Sequence, residues 1–598
     1  MAKISPVGGV FTSLIILVAA CGAPTSGSPT ISSATCPYTD IPLDTSSLPG
    51  APKYPPGFFA PASLDEAQTY EPRPFEELKD PPQAPEDPMT GYVRNYRPLE
   101  IRYSDPNETK IAGCGLRLRT YNGELVGPTL RVKPGQTLRF TVQNNLESPT
   151  ILSPLSPSAQ DEMTHGIEIP TLDLTNLHTH GAQVDPEGKK DAEGNLITAS
   201  DNVLIEYGPK AHQDYEVTVP EDHPTGTFWY HAHAHRSTAT QVSSGMAGPL
   251  IVEDDNENLG NPDSDRSMLP DSLKNIKEKT LVFQSIFYNE KGELENLDVS
   301  RPDRKIWSDS KRRITINGQL APRITMRPGE VQRWRMIGAT FEELLRLRLA
   351  EHDLNEIALD GHYLPRVDKW EPIPEHAVEL QSGYRSDVLV KASTTPGTYM
   401  MINVRDPEGR LASPQATTAE PQLERVVAAV VVEGEEVKDQ ELPTDAEMQE
   451  IAYGWQNGGE LESLEEQWTR GPAKAPQKVV FDTDASTGGS FAINGRAYRE
   501  ADEPRKLKLN EIDKWELSSE RGGHVFHIHV NPFQIIRTGP NGPERVWKDS
   551  IVVPGSTGAS VPLVMYTQYR NFTGKFVIHC HLLDHEDDGM MQQVEVVE

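Results

Sequence analysis

The chain has 598 residues, which is too long for a single hydrophobic core, so several domains are expected. Its 50 prolines and 45 glycines lie between short apolar segments rich in Val, Ile and Thr, and this composition favours an all-β fold with many turns. A formal net charge of −31 argues against binding to nucleic acid or to anionic lipid, although such a surface can attract cations. For most of this charge, solvation of the surface is the simpler interpretation.

Residues 1–21 are predicted to be a targeting segment. Lys3 precedes an apolar stretch from Val10 to Ala20, which is too short to span a bilayer as a mature helix. The end of the stretch resembles a bacterial lipoprotein signal, in which Cys21 would be lipidated and become the mature N-terminus. An ordinary signal peptide, with Cys21 incidental, is the alternative. Both predict an exported bacterial protein, periplasmic or at the cell surface, with membrane contact only through the anchor.

Residues 22–90 are predicted to form a flexible tether followed by a Pro-rich, acidic arm. Two of the four cysteines, Cys36 and Cys114, are left after the signal cysteine and the C-terminal one. In an oxidising compartment they can form a disulfide that holds the arm on the first domain. Two free buried thiols are the alternative.

Strand patterns begin near residue 92 and predict a first domain over 91–256. They include Leu99–Tyr103, Gly115–Tyr121 and Thr137–Asn144. A polar stretch then leads to a second domain, predicted over 277–434. The acidic segment 435–475 reads as an interdomain linker with a helix around Thr444–Trp455, and a third domain follows over 476–598.

An Ile-Asn-Gly sequence occurs once in the second domain and once in the third, at Ile316-Asn317-Gly318 and Ile493-Asn494-Gly495. Its spacing and the flanking strand patterns predict that the chain contains three related β-domains. The alternative is that Ile-Asn-Gly is merely a frequent turn sequence.

Near the C-terminus, Cys580 lies between two histidines and is followed by His585 and Met590. A thiolate, imidazoles and a weak thioether are the ligands of a blue-copper electron-transfer site. Because successive side chains of a strand point to opposite faces, His579 and His581 cannot bind the same metal as Cys580. The segment therefore predicts two metal centres that are joined through one residue.

Four clusters each contain a His-x-His pair, which places two imidazoles on one face of a strand. The pairs are His178 and His180, His231 and His233, His527 and His529, and His579 and His581. Eight imidazoles exceed what one mononuclear site uses, so they predict a cluster of several metals between the first and third domains. His524 is the natural third ligand for Cys580 and His585. Zinc accepts Cys and His, but a methionine and a multinuclear histidine cage favour copper.

These four motifs, in this order, resemble the signature of the multicopper oxidase family over residues 90–598. The resemblance implies three cupredoxin-like Greek-key β-sandwich or barrel domains and four copper ions. Type 1 copper would take His524, Cys580 and His585, with Met590 axial. The other ligands implied are His178 and His527 for type 2, and His180, His231, His581 and His233, His529, His579 for the two type 3 ions.

Histidines outside these sets are expected to be structural or superficial. His235 resembles an extra third histidine of many bacterial members and is not expected to be a ligand. The others are His165, His212, His223, His352, His362 and His376.

The resemblance implies four one-electron oxidations at type 1 copper, coupled to reduction of dioxygen to two waters. Electrons would pass from Cys580 to His579 and His581. Glu586 and Asp201 resemble acids that serve proton delivery, although segment 189–198 is inserted before Asp201. A solvated charge at a strand end is the alternative for Glu586, and its acidic run, 586–588, could also steer cations.

A thioether axial ligand gives a lower type 1 potential, which suits easily oxidised substrates such as phenols, bilirubin-like pigments, Cu(I) or Fe(II). The substrate is expected to be a phenol or aromatic amine, as in a laccase. Oxidation of Cu(I) or Fe(II) in metal detoxification is the alternative, although the linker carries only Met448 and no Met-rich insert. A non-enzymatic cupredoxin scaffold is disfavoured because no ligand is missing, and the third domain disfavours a two-domain nitrite reductase. A monomer is expected.

Overall fold

A computed structural model describes residues 45–56, 74–87, 92–147, 172–253, 276–289, 291–294, 311–404, 406, 410, 425–454, 463–487, 490–520, 522–555 and 561–598. The predicted targeting segment, the tether, Cys36 and His165 lie outside these ranges. Within them, none of the helices has the length and apolar character needed to cross a membrane.

Among the described residues, the first domain contains thirteen strands and one short helix, α1 (Thr238–Ser243). The strands are β1 (Val93–Asn95), β2 (Leu99–Tyr103), β3 (Lys110–Ile111), β4 (Cys114–Gly115), β5 (Arg119–Tyr121), β6 (Leu130–Val132), β7 (Thr137–Asn144), β8 (His178–His180), β9 (Gly188–Lys190), β10 (Leu196–Ala199), β11 (His212–Thr218), β12 (Gly226–His231) and β13 (Ala247–Val252).

The second domain contains eleven strands among the described residues. They are β14 (Lys277–Tyr288), β15 (Lys311–Ile316), β16 (Arg323–Met326), β17 (Val331–Ala339), β18 (Leu345–Leu349), β19 (Leu354–Leu359), β20 (His362–Trp370), β21 (Val378–Leu380), β22 (Arg385–Lys391), β23 (Gly397–Asn403) and β24 (Arg425–Val432). Helices α2 (Asp445–Gly454) and α3 (Leu464–Arg470) follow in the linker.

The third domain contains another eleven described strands and helix α4 (Leu583–Asp587). The strands are β25 (Gln477–Asp484), β26 (Ser490–Ile493), β27 (Arg505–Lys508), β28 (Ile512–Ser519), β29 (His524–Ile528), β30 (Phe533–Gly539), β31 (Gly542–Lys548), β32 (Ser550–Val553), β33 (Leu563–Gln568), β34 (Gly574–Cys580) and β35 (Met591–Val597). Short 3₁₀ turns occupy Thr45–Ser47 and Ala485–Thr487.

Each domain is a sandwich of two sheets, and the strand order repeats from domain to domain. One sheet has the order β5-β2-β7-β11-β10-β9 in the first domain, with β1 added beside β7. The same order returns as β15-β14-β17-β22-β19-β20 and as β26-β25-β28-β33-β30-β31. The facing sheets run β6-β13-β12-β8, β16-β24-β23-β18-β21 and β27-β35-β34-β29-β32. The predictions of an all-β class and of related domains are therefore confirmed.

The Ile-Asn-Gly sequences occupy equivalent turns, which follow β15 and β26. Asn317 and Asn494 have φ of 53° and 54°, and the next glycine is also at positive φ, as a type I′ turn requires. The Oδ1 atom of each asparagine accepts a hydrogen bond from a backbone N–H of the neighbouring strand, Val282 in β14 and Val480 in β25, at 2.8 and 2.9 Å. Asn122, with φ of 57°, makes the same bond at 2.8 Å after β5. The first domain therefore carries a third copy, which Tyr121 in place of isoleucine had concealed.

The predicted strand over Gly115–Tyr121 is shorter in the structure, where only Arg119–Tyr121 joins the sheet. The reason is that the backbone N–H of Arg117 donates to Gly292 O at 2.8 Å, so this segment pairs with the second domain.

The predicted linker helix is present as α2. It begins with a capping box, in which Thr444 and Glu447 exchange side-chain-to-backbone hydrogen bonds of 2.7 and 3.3 Å. Helix α3, capped by Ser463, was not predicted.

Candidate metal centres

A thiol and two imidazoles meet at one end of the third domain. Strands β29 and β34 are antiparallel neighbours, and this pairing brings His524 beside Cys580. The Cys580 Sγ lies 3.5 Å from Nδ1 of His524 and 3.8 Å from Nδ1 of His585 in α4. The two Nδ1 atoms are 3.1 Å apart. Their spacing and donor types fit one metal ion, so the predicted type 1 residues are brought together.

Met590 follows α4 and is fully buried. The Cys580 N–H donates to Met590 O at 3.0 Å, and the Met590 N–H donates to His585 O at 2.9 Å, so the three residues form one tight loop. Burial raises the pKa of the Cys580 thiol. A buried thiolate therefore needs a cation beside it, as a bound copper ion would provide.

Aromatic rings cover the two imidazoles of this site. Phe481 stacks on His524 with a centroid distance of 5.0 Å, and Phe491 stacks on His585 at 3.8 Å. His585 is partly exposed, whereas His524 and Cys580 are buried. The His585 edge is therefore where a substrate outside the protein comes nearest to the site.

On the opposite face of β34, His579 and His581 enter a second group of eight buried imidazoles. Strand β12 pairs with β8, placing His231 opposite His178, and β29 pairs with β34, placing His527 opposite His579. The eight rings thus come from two strand pairs, one in the first domain and one in the third. All eight predicted residues are brought together.

The ring nitrogens fall into groups that fit separate ions. In one group, His581 Nε2 lies 3.2 Å from His180 Nδ1, and His231 completes the set. In another, His579 Nε2 lies 3.2 Å from Nε2 of both His233 and His529. A further group contains His178 and His527 together with His180. Each group has donor atoms within 4.8 Å of one another.

The other nitrogen of most of these rings is held by the protein, which fixes the direction of the free nitrogen. Nδ1 of His178 lies 2.9 Å from Asp201 Oδ1. Nδ1 of His231 and His527 donate to the backbone carbonyls of Ala232 and Asp549, at 2.9 and 2.8 Å.

Carboxylates and a hydroxyl hold four more rings. Glu586 lies 2.9 Å from Nδ1 of His579 and 3.4 Å from Nδ1 of His233. His180 Nε2 lies 3.2 Å from Asp549 Oδ1, and His581 Nδ1 lies 2.9 Å from Ser382 Oγ. For His529 the nearest such group is Asp201, at 3.9 Å.

The arrangement of the imidazoles fits metal ions, because without them several buried ring nitrogens would lack any partner, which costs free energy. Nε2 of His178, His231 and His527 is buried and has no hydrogen-bond partner. Burial lowers the pKa of His178 and His527 well below the ordinary value, and that of His231 to about 3. These three imidazoles are therefore neutral, and their unpartnered Nε2 atoms are ones that a bound cation would satisfy.

Glu586 and Asp201 are both buried, and their environments shift the pKa of the two carboxyl groups in opposite directions. Burial raises the pKa of Asp201 well above its usual range, despite hydrogen bonds from Thr179. For Glu586, burial also acts upward, but His233 and His579 outweigh it and lower the pKa to about 2. A solvated charge at a strand end is thus wrong for Glu586, since its side chain is fully buried.

The acidic run after His585 faces inward. Asp587 accepts hydrogen bonds from the N–H groups of Thr238 and Ala239 at the start of α1, at 3.2 and 2.8 Å. Asp588 accepts one from Phe491 at 3.1 Å, and Glu586 accepts one from the Thr238 hydroxyl at 3.2 Å. The suggestion that this run steers cations from the surface is therefore wrong.

The remaining described histidines lie outside the metal-ligating groups. His235 is partly exposed, with its ring 4.9 Å from that of Tyr498. Nδ1 of His223 and of His352 bonds a carbonyl of its own loop, and Nε2 accepts the backbone N–H of a distant residue, Gln183 and Ser393 respectively. His212 is exposed on β11.

Three residues that hold the imidazoles in place were missed in the sequence: Asp549, Ser382 and Thr238. None lies in a histidine motif, and Ser382 belongs to the second domain. The order Lys548-Asp549-Ser550, where β31 ends and β32 begins, is a buried polar stretch and was the one available signal.

Three multicopper oxidase family models match the chain, at residues 172–257, 270–422 and 470–598. The chain belongs to the multicopper oxidase family. It is therefore an oxidoreductase, and the histidine groups just described fit the copper that this family binds.

Curated relatives support the assignment. This multicopper oxidase is 24% identical to "Multicopper oxidase mco" of Staphylococcus aureus over 489 residues, covering 80% of this chain and 83% of that protein. It is 25% identical to "Laccase" of Bacillus subtilis (strain 168) over 515 residues, covering 81% of this chain and 90% of that one.

Among solved structures, a multicopper oxidase from Campylobacter jejuni, described as a metallo-oxidase, superposes with a TM-score of 0.62 at 21% identity. The match covers 94% of this chain and 99% of that one. At this identity the likeness shows the fold, and the predicted cupredoxin-like domains are confirmed.

Proposed function

We propose that this oxidase couples the one-electron oxidation of a small aromatic substrate to the four-electron reduction of dioxygen to water. The carrying observation is the junction of the two sites at His579, Cys580 and His581. Cys580 faces the site with the exposed histidine edge, and its two neighbours face the eight-imidazole cluster. Residues 579–581 thereby connect the site that a substrate approaches from outside with the buried cluster at which dioxygen is reduced.

Four copper ions are proposed. Type 1 copper would be held by His524, Cys580 and His585 together with Met590, and type 2 copper by His178 and His527. The type 3 ions would be held by His180, His231, His581 and by His233, His529, His579. This assignment is supported by the spacing of the donor nitrogens and by the nitrogens left without hydrogen-bond partners. Bound copper supplies the one-electron redox chemistry that no amino-acid side chain here provides.

The chain itself forms the electron bridge. Cys580 is covalently linked to both His579 and His581, so the path from its Sγ to either imidazole runs through adjacent residues. All three side chains are fully buried, which excludes solvent from the path. The antiparallel partner β29 fixes the backbone of this segment by ladder hydrogen bonds.

Protons must also reach the cluster, and Glu586 and Asp201 are the proposed catalytic acids. Each carboxylate contacts imidazoles of the cluster, at 2.9 Å for the nearest pair. Glu586 additionally accepts a hydrogen bond from Thr238, whose helix starts at the boundary of the first and third domains. The Thr238 hydroxyl, which also donates to Ala234 O at 3.0 Å, relays a proton to Glu586 Oε1 only when Oγ1 takes up another proton in the same step.

The surface beside His585 favours an aromatic substrate. Phe491 lies flat against the ring at 3.8 Å and presents an apolar face there. The nearby acids Asp587 and Asp588 are engaged by backbone N–H groups. Among the described residues, every cluster of His, Cys, Asp or Glu suited to a metal belongs to the two sites above. Met448, the one linker methionine, is fully buried in a hydrophobic cluster.

Oxidation of Cu(I) or Fe(II) is the second candidate. The observations in its favour are the likeness to the Campylobacter jejuni metallo-oxidase and the net charge of −31, which concentrates cations near the protein. The described surface offers no separate site of three such ligands for a substrate ion.

The test is a comparison of kcat/KM on a substituted phenol and on Cu(I), using copper-loaded protein and the Phe491→Leu variant. Loss of the aromatic face is expected to lower turnover of the phenol several-fold and to leave Cu(I) oxidation unchanged. Equal effects on both, or faster turnover of Cu(I) by the native chain, would favour the metallo-oxidase. A colourless protein that binds one metal per chain would refute both candidates.

Export is proposed as well, with a lipid anchor at Cys21. Cys114 is disulfide-bonded, which is typical of proteins in oxidising compartments. Mass spectrometry of the mature N-terminus distinguishes a lipidated Cys21 from a free terminus produced by an ordinary signal peptidase.

A further inference from the structure

The second domain contributes no histidine to the oxygen-reducing cluster, yet one of its segments reaches into it. Residues 381–384 connect β21 to β22, and Arg385 begins β22. Ser382 and Arg385 are both fully buried. A Cβ added to Gly383 would lie 3.0 Å from His180 Cε1 and 3.1 Å from Ser550 Oγ, which shows how closely the backbone passes the cluster.

Ser382 determines which nitrogen of His581 is free. Its hydroxyl donates to Thr340 O at 2.5 Å and lies 2.9 Å from His581 Nδ1. A hydroxyl has a single proton. Once that proton is donated to the carbonyl, Ser382 Oγ can only accept from His581 Nδ1–H. The lone pair of His581 is then on Nε2, which faces His180.

Arg385 acts on two other imidazoles through Asp549. Its guanidinium donates from Nη1 and Nη2 to the two carboxylate oxygens of Asp549, at 2.8 and 2.5 Å. The same carboxylate lies 3.2 Å from His180 Nε2, and the backbone carbonyl of Asp549 accepts from His527 Nδ1 at 2.8 Å. A planar, two-pronged contact of this kind fixes the carboxylate plane as well as its position.

We propose that Ser382 and Arg385 are positioning residues of the copper cluster, so that the second domain orients ligands it does not itself supply. Ser382 fixes the tautomer of His581, and Arg385 fixes Asp549 and through it His180 and His527. This inference rests on the proposed copper assignment.

The test compares Ser382→Ala with Ser386→Ala. Ser386 is equally buried, lies four residues away in the same domain, and donates to Glu356 at 2.6 Å without touching the cluster. Ser382→Ala thus loses the contacts to Thr340 O and His581 Nδ1, and Ser386→Ala loses the bond to Glu356. Copper per chain is measured during dialysis against a chelator, together with the blue absorption of the Cys580 site and the unfolding of copper-free protein.

Ser382→Ala is expected to release cluster copper about 10- to 100-fold more readily than the native chain, with the blue colour retained. Ser386→Ala is expected to keep its copper. Both copper-free variants should remain folded, and their unfolding midpoints show whether copper loss merely follows a loss of stability. Equal copper retention by the two variants would overturn the role of Ser382.

The Arg385→Lys variant tests the second part of the proposal, that Arg385 positions Asp549. A lysine keeps the charge but cannot contact both oxygens of Asp549, so the type 2 signal in electron paramagnetic resonance should change while the type 1 signal does not. An unchanged type 2 signal in a folded Arg385→Lys protein would overturn the positioning role of Arg385. If the native chain itself bound no copper, the copper assignment would fail first, and that result is distinguishable from either variant's effect.

Discussion

Asp201 contacts His178 across an inserted hairpin, with 2.9 Å between Asp201 Oδ1 and His178 Nδ1. Strands β9 and β10 lie between the two residues in sequence and pair with each other, so the insertion leaves the cluster undisturbed. Asp201 also accepts the backbone N–H of Thr179 at 2.7 Å, which ties the carboxylate to the histidine strand itself. The carboxylate therefore fixes both the ring of His178 and the strand that carries it.

We expect Asp201→Asn to weaken copper binding at His178 by about 10- to 100-fold, because an amide can accept only one of these donors well. Copper content against chelator concentration measures the effect. Asp185→Asn is the matched control, since Asp185 accepts the backbone N–H of Glu187 and contacts no histidine ligand in the same region. Equal losses in both variants would contradict a specific role for Asp201.

Cys580→Ser is expected to abolish the blue colour and the oxidase activity together, because a hydroxyl does not replace the thiolate ligand. The fold should persist, with the free energy of unfolding of copper-free protein reduced by about 1–3 kcal/mol for the buried hydroxyl. Visible absorption, copper content and circular dichroism measure these effects. A blue Cys580→Ser protein would show that the type 1 assignment is wrong.

The contact between the second and third domains should depend on pH through Glu544. Its carboxylate faces Arg537 at 2.7 Å and Arg366 at 3.1 Å, with Asp368 and Glu356 bound to the same Arg537. Burial, then the neighbouring Asp368, raises the Glu544 pKa from 4.5 to about 7. Between these values the folded protein retains a proton that the unfolded chain releases, so stability falls as pH rises from 4.5 to 7.

Glu544→Gln should remove this dependence and stabilise the protein by about 1–3 kcal/mol above pH 7, with little change below pH 4.5. Denaturant unfolding at several pH values measures it. Glu465→Gln serves as the control, because Glu465 is more exposed and pairs with Arg545 at 3.4 Å. The same pH slope in native and Glu544→Gln proteins would contradict the assignment.

The repeated turn can be tested at Asn494. Asn494→Ala loses two side-chain hydrogen bonds, to Val480 N and Lys478 O, and places alanine at a φ of 54°. We expect a loss of about 2–3 kcal/mol in the free energy of unfolding. Asn494→Gly should lose less, because glycine adopts this φ without strain. If the two variants were equally stable, strain at this position would be excluded.

The sequence predicted which side chains come together at the two sites, but not the groups that hold them in place. The alternation of strand side chains separates Cys580 from His579 and His581, whatever the surrounding fold. Ser382 and Asp549 contact their histidines only because three sandwiches pack together, and no local pattern contains that information. For Glu586, a position next to His585 was visible, but its burial depends on α1 of the first domain.

Helix α3 shows a different limit. Its seven residues are mostly polar, and only Leu464 is buried, so the apolar period from which a helix is recognised is nearly absent. The third asparagine turn was not predicted for a simpler reason. The pattern Ile-Asn-Gly includes the residue before the asparagine, which is Tyr121 in the first domain, whereas the turn itself requires only the backbone conformation of Asn122 and Gly123.

The cluster draws four imidazoles from residues 178–233 and four from residues 527–581. During synthesis the first four therefore exist for more than half of the translation time without the partners that complete a site. Copper cannot be captured in its final geometry until the last twenty residues have folded against the first domain. Metal loading must accordingly follow completion of the chain, and a truncation before residue 579 should leave a folded first domain that carries no cluster.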